Sequence, residues 1–210
     1  MTRIPGPEGT PSSTAPTKRP VGRPKLKIDR ADVAAVAGKL YRENGSAVSM
    51  EDIAEGLGVS RATLYRTVRT MDELHGLLLD EIVHGVERDA RALLDEHSVP
   101  REALVALIRF QVHASINMRD LVGVYFGWGL SPETYARWRK WARSYEALWT
   151  EAVQHAVDDG QLQTDNIHVT TRLIMGMVNW VSRWYQPNAG LTDDDIANEA
   201  VRLVFPNGQW

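Results

Sequence analysis

Arg61, Thr63, Tyr65, Arg66 and Thr67 crowd into the stretch SRATLYRTV, Ser60 to Val68, where Leu64 and Val68 take the inward positions of a helical repeat and leave those five facing out. A short helix whose outer face carries arginines, hydroxyls and a tyrosine, rather than Glu and Lys pairs, offers donors suited to a DNA major groove. On this reading Arg61, Thr63 and Arg66 meet base edges. Tyr65 and Thr67, with Ser49 before them and Arg69 after, meet phosphates, helped by the first amides of the preceding helix.

Catalytic chemistry has no comparable foothold. The sequence holds no cysteine, no HExxH, no Gly-rich phosphate loop after a strand and no nucleophile elbow. No catalytic residue, metal ligand set or cofactor is therefore expected. His75 and His84 would not face one another on a helix, so they make no ligand pair.

The elements that must hold the donor face are legible around it. Ser49 and Asp52 have the spacing of a capping box, and Val48 and Ile53 that of a hydrophobic staple. Ile53, Ala54 and Leu57 make a one-sided stripe, Gly58 supplies a residue tolerant of positive φ, and Val59 plugs beneath it. Ser60 caps the second helix, in which Ala62 is small enough for close packing. Thr70 and Glu73 form another capping box, so a third helix starts at once.

The residues IAEGLGVSRATLYRTVRTMDEL resemble the DNA-binding region of the TetR family of one-component bacterial repressors, whose signature runs I-A-x-x-x-G-V-S-x-x-x-L-Y-x-x-F before a capped helix. Two positions depart from the family's habit: Thr67 stands where it usually places His or Tyr, and Met71 where it usually places Lys. Both positions often touch phosphate in the family, and Arg66 or Arg69 are the substitutes at hand. Further on, GMVNWVSRWYQPNAGLTDDDIANEAVRLV, Gly176 to Val204, resembles the C-terminal end of a TetR subgroup that includes regulators of fatty-acid and steroid breakdown sensing acyl-CoA thioesters. That resemblance implies a homodimer and a bulky apolar effector, with acyl-CoA as the candidate.

The net charge of −3 hides an uneven distribution: residues 1 to 70 hold 12 Lys and Arg against 7 Asp and Glu, and residues 71 to 210 hold 12 against 20. The basic part coincides with the helix-turn-helix. Absence of cysteine fits a reducing cytoplasm. No apolar run reaches membrane length, and none near Met1 reads as a signal peptide, so no membrane partner is expected.

Residues 1–28, rich in Pro, Gly, Ser and Thr, read as a flexible basic arm. Its KRPVGRPKLK segment has a Gly-Arg-Pro core resembling AT-hook minor-groove readers, which would place Arg19, Arg23, Lys25 and Lys27 on DNA; a purely electrostatic tail is the other reading. Residues 29–75 make the helix-turn-helix domain, opened by a packing helix from Asp29. Residues 76–210 make a helical effector-binding and dimerisation domain. A helix from Met71 to about Glu96 joins the two and is long enough to act as a lever; Gly76 and Gly85 within it read as close packing, with flexible points as the alternative.

Helices then follow from Pro100, from Pro132 to Asp159, from Ile167 to Tyr185 and from Thr192. Phe110, His113, Asn117, Tyr125, Trp128, Trp138, Trp141 and Tyr145 are the expected effector pocket, since all 7 tryptophans lie from Trp128 onward. A satisfied core group is the rival reading for His113, and simple core for the aromatic stripe. The helix through Leu173, Ile174, Val178, Trp180 and Trp184 is apolar nearly all round and must be covered on two sides. Trp180 and Trp184, with Ile196, Ala200, Val201 and Val204 of the last helix, are the expected dimer interface, forming a four-helix bundle with a second copy.

The fold expected is all-α: an N-terminal three-helix helix-turn-helix domain joined by a long helix to a C-terminal helical domain. The function expected is a homodimeric, ligand-responsive regulator, a repressor released from a palindromic double-stranded operator. A DNA-organising protein without an effector, or an all-α enzyme, are the alternatives.

Overall fold

The computed structural model describes residues 28–44, 48–121, 130–187 and 190–206. The arm residues Arg19, Arg23, Lys25 and Lys27 and the pocket residues Tyr125 and Trp128 lie outside them. Among the described residues the chain forms eight α-helices and no strand: α1 Arg30–Asn44, α2 Met50–Gly56, α3 Arg61–Thr67, α4 Met71–Glu96, α5 Pro100–Asn117, α6 Pro132–Asp158, α7 Ile167–Trp184 and α8 Asp193–Val204. A 3-10 turn at Arg119–Leu121 follows α5. No helix among the described residues is long and apolar enough to cross a membrane.

Side chains gather into two cores. Val33, Ala37, Tyr41, Ile53, Leu64, Val68, Leu74, Leu78, Leu79 and Val83 build the first, which holds α1 to α3 against the start of α4. Val86, Ala90, Leu104, Leu107, Ile108, Val112, Trp149, Val153, Ile174, Val178 and Val201 build the second, among α4 to α8. α4 belongs to both, and its Ile82 packs against each. With 26 residues it is about 39 Å long at 1.5 Å per residue.

Local signals fix the helix ends. Ser49 and Asp52 form a reciprocal capping box, as do Thr192 and Asp195. Gly58 turns the chain at φ 64°, a conformation that a Cβ would crowd. At α4 the arrangement differs from expectation. Thr70 accepts the Glu73 amide at 3.1 Å, but the Glu73 carboxylate accepts from the Arg69 amide at 2.9 Å and pairs with Arg30 at 2.8 Å rather than returning to Thr70. Anchoring α1 through Arg30 takes the place of the second half of the box.

The two glycines of α4 also part ways. A Cβ on Gly76 would stand 3.1 Å from the Arg137 guanidinium and 3.5 Å from Thr134, so this glycine does allow α6 to pack close. A Cβ on Gly85 would meet nothing within 4 Å, and close packing does not explain it.

One group of expected interface residues is used otherwise. Ile196, Ala200 and Val201 lie in the protein's own second core, Val201 at 0% exposure, and Val204 packs against it. The apolar line of α8 faces α5 within one chain, since a helix with a single strong stripe satisfies the nearest uncovered helix first. Trp180 and Trp184, by contrast, are exposed.

Candidate functional site

α3 presents its donors as a connected set. Ser60 accepts the Thr63 amide at 3.2 Å, its hydroxyl lies 2.9 Å from the Thr63 hydroxyl, and Arg66 Nη2 donates to Thr63 Oγ1 at 3.0 Å. Arg61 pairs with Glu51 of α2 at 3.0 Å between two exposed side chains. Such a surface pair is worth little in water, so exchanging Glu51 for a DNA acceptor costs little. Leu64 is fully buried and sets the rotation of the helix. Arg61, Tyr65, Arg66 and Arg69 are exposed and Thr63 and Thr67 are half-buried. Ala62, small enough for close packing, is exposed beside Arg61 and Arg66, and a methyl there can meet a thymine methyl.

Ser49 is differently placed. Its hydroxyl donates to Asp52 Oδ2 at 2.6 Å and its amide to the same oxygen at 2.8 Å. Those two hydrogen bonds hold the Asp52 carboxyl below its ordinary range. The hydroxyl can reach a phosphate only by leaving this carboxylate.

Contacts beyond the continuation of α4 tie the helix-turn-helix to the rest of the chain, and one more joins α1 to α4. The Ser131 amide, just before α6, donates to Asp72 Oδ1 at 2.8 Å. Leu121, in the 3-10 turn, is buried in the first core. The Tyr41 hydroxyl of α1 and His75 Nε2 of α4 stand 2.9 Å apart. Burial holds the His75 imidazole below its ordinary pKa, against a smaller upward pull from Asp72, so at neutral pH the ring is neutral and shares a single hydrogen bond with the hydroxyl.

Among the described residues, the expected effector residues are spread over more than one setting. Trp138 and Trp141 line a cleft of ≈ 380 Å³ between α4 and α6, together with Leu79 and Val83, the bases Arg137 and Lys140 and the acids Asp80 and Glu87. Trp141 stacks on Tyr145 at 5.2 Å between ring centroids. The Tyr145 hydroxyl donates to Gln111 Oε1 at 2.6 Å, and Gln111 Nε2 donates to Asn179 Oδ1 at 2.8 Å. Phe110 packs against the second core, Asn117 is exposed at the end of α5, and His113 Nε2 lies 3.1 Å from Asp194 Oδ1 at the start of α8. With Asp193 these form a group whose ligand atoms lie within 4.8 Å of one another. The acids in that first turn also answer the positive helix end.

Gln111 and Asn179 stand outside the set expected from sequence. The signal for Gln111 is a polar residue on an apolar stripe, between Ile108 and Ser115 on the inner side of α5. Buried to 1% exposure, it needs partners for both ends of its amide. Tyr145 and Asn179 supply them.

A second concavity, ≈ 650 Å³, runs between α7 and α8 and is lined by Met177, Trp180, Trp184, Leu191 and Leu203. The Arg183 guanidinium lies 5.9 Å from the Trp180 ring centroid.

The chain matches the family description "Bacterial regulatory proteins, tetR family" over residues 34–75 and "Tetracyclin repressor-like, C-terminal domain" over residues 97–206. Among solved structures it is similar to a transcriptional regulator of the TetR/AcrR family from Thermobifida fusca YX-ER1, with a TM-score of 0.74 and 25% identity over 86% of this chain and 98% of that one. AibR in complex with isovaleryl coenzyme A and operator DNA gives 0.73 and 23%, over 84% and 98% of the two chains. The ketosteroid transcriptional regulator KstR2 of Mycobacterium tuberculosis gives 0.69 and 20%, over 84% and 93%. At those identities the last two likenesses establish fold alone. No curated protein sequence matches the chain.

Proposed function

This chain belongs to the tetR family of bacterial regulatory proteins, which are DNA-binding transcription regulators, and from that premise we propose that it is a homodimeric repressor released from a palindromic operator by a bulky apolar effector of the acyl-CoA class. The observation that carries the reading is the sharing of α4 between the two cores: Leu74, Leu78, Leu79 and Val83 belong to the DNA-facing core, Val86 and Ala90 to the other. A helix packed into both cannot change its tilt in one without moving the other. Residues 1–28 are then an arm, 29–75 the reading domain and 76–210 the effector and dimer domain.

Two copies related by a two-fold axis would set their α3 helices into successive major grooves about 34 Å apart. Arg61, Thr63 and Arg66 read base edges, joined by Ala62. Tyr65, Thr67 and Arg69 hold phosphates. Arg19, Arg23, Lys25 and Lys27 of the arm add minor-groove or electrostatic contacts in the cytoplasm, where the operator lies.

The effector enters by the cleft between α4 and α6. Leu79, Val83, Trp138 and Trp141 offer it apolar walls, and of the two bases in the lining Lys140 is the one for an anionic head, since Arg137 pairs with Asp80 at 3.8 Å. AibR, a structural relative, is bound to isovaleryl coenzyme A, which favours the thioester class here. Wedging α6 from α4 strains the Ser131–Asp72 hydrogen bond and opens the close approach at Gly76, at the head of the lever. The ligand then favours a dimer state whose α3 spacing the DNA does not accept.

Selection of bound sites from random duplex DNA, with and without a panel of long-chain and steroid acyl-CoA thioesters, tests the reading. A palindromic motif whose enrichment collapses with one thioester is the expected result. A palindrome indifferent to the whole panel removes the acyl-CoA effector, and absence of any enriched motif favours a DNA-organising protein instead.

A further inference from the structure

We propose that Glu51 reads DNA beside Arg61, accepting from the amino group of a cytosine next to the guanine that Arg61 takes. The proposal rests on the reading role of α3 given above and adds to it an acceptor from α2. Glu51 Oε2 lies 3.0 Å from Arg61 Nη2, and the two side chains are 62% and 60% exposed. The pair therefore bridges the two helices at the edge of the donor face, with both side chains open to solvent.

α2 does not need Glu51 for its own start. Asp52 does the capping: its carboxylate accepts the Ser49 amide at 2.8 Å and the Ser49 hydroxyl at 2.6 Å, and the same charge answers the positive helix end. α3, RATLYRT, holds no acid, so Glu51 is the carboxylate that Arg61 brings to the groove. Arg66 is the contrast, since its partner is the neutral Thr63 hydroxyl on its own helix. A carboxylate on a phosphate-facing surface weakens binding to any duplex. That cost is offset where the bound sequence supplies a donor.

Once Arg61 donates to a guanine, Glu51 is pressed against base edges without its partner, and desolvating an unpaired charge is costly. The major-groove edges decide what can replace the guanidinium. Guanine shows acceptors at N7 and O6, thymine at O4, and adenine at N7 next to its amino group; cytosine shows the N4 donor with no acceptor beside it. The 3.0 Å between the two charged tips is close to the rise of about 3.4 Å from one base to the next along a strand. Neighbouring base pairs thus fit the two side chains. Guanine with cytosine beside it satisfies both, and any other base at that place sets the carboxylate against an acceptor. Such discrimination acts by penalising the wrong sequence.

Selection of bound sites from random duplex DNA, run with the full-length chain and with Arg61→Ala, Glu51→Ala and Glu51→Gln, tests the proposal. The wild type is expected to select a guanine with a cytosine beside it. Arg61→Ala should relax the guanine and Glu51→Ala the cytosine, each by at least about fivefold, and Glu51→Ala should bind unrelated duplex more tightly than the wild type. Glu51→Gln keeps the length and adds a donor, a combination that pairs with adenine N6 and N7, so its preference at that place should move from cytosine towards adenine. A cytosine preference that survives in either Glu51 variant overturns the proposal. So does relaxation in Glu51→Ala confined to the base pair that Arg61→Ala relaxes, which would make Glu51 a positioning residue for Arg61. A wild-type motif with no cytosine beside that guanine overturns it and leaves α3 as the reader. A wild type that enriches no motif, or an Arg61→Ala variant that keeps the whole of it, overturns both.

Discussion

Arg66 is held by Thr63, and Thr63 by the Ser60 cap, so this donor is oriented by a hydrogen-bonded line along the helix. Arg66→Ala should therefore relax preference at one or two base pairs of the selected site, at about 1–3 kcal/mol of discrimination. An unchanged base preference in the selection would remove α3 from the reading role. Arg23→Ala in the arm should instead weaken binding across sequences and flatten its salt dependence. His75 carries a pH prediction. Its folded pKa lies below the ordinary 6.5, so the unfolded chain takes up this proton first and stability is lost as pH falls below about 6.5, while the neutral ring above that pH keeps its bond to Tyr41. The thermal midpoint should drop between pH 7 and pH 5, and His75→Gln should flatten that drop; an equal drop in the variant would assign it to other groups. Asp52 and Asp195, both held below the ordinary 3.8 by their cap hydrogen bonds, contribute stability that is present above that value and lost only at lower pH. Tyr145→Phe removes the hydroxyl that donates to the buried Gln111 Oε1 and should cost about 1–3 kcal/mol in a denaturant titration.

α4 was readable from its caps and period because a helix carrying one apolar face over its whole length leaves few alternatives: Leu74, Leu78 and Val86 announce it. Its glycines were not, since a glycine has the same look in sequence whether a neighbour crowds it or none does. Gly85→Ala should raise stability by up to about 1 kcal/mol, the ordinary helix-propensity difference, because no atom opposes the added methyl. Gly76→Ala should gain less, as the Arg137 guanidinium at 3.1 Å must move aside. A Gly85→Ala variant that folds no more stably, yet loses its response to effector, would mark this turn of α4 as a bending point. The capping of α2, α3 and α8 was equally legible, being settled within four residues of sequence. The Glu73 to Arg30 pair was not, for it joins two helices whose approach only the fold decides.

For the molecule as a whole, periodicity tells which side chains leave water but not which surface receives them. Ile196, Ala200 and Val201 carried as strong a stripe as Trp180 and Trp184, and the first three are buried within one chain while the two tryptophans are not. Among the described aromatics the same holds: Tyr145 and Phe110 go to the second core, and Trp138 and Trp141 line the α4–α6 cleft. Leu173→Glu, placing a charge on the exposed stripe of α7, should convert the dimer to monomer in sedimentation and lower operator affinity at least tenfold while helicity is kept. The proposed response to effector depends on α4 carrying a change from the α4–α6 cleft to the spacing of two α3 helices. Glu43, exposed near the end of α1, can be changed to Cys and spin-labelled, giving one label per protomer, and the distance between labels measured by electron–electron resonance. With the selected duplex bound, a single narrow distance is predicted; with the thioester that most weakens that complex, the distribution should move outside the width of the DNA-bound one. The same narrow distance in both states, with DNA released all the same, would contradict the lever.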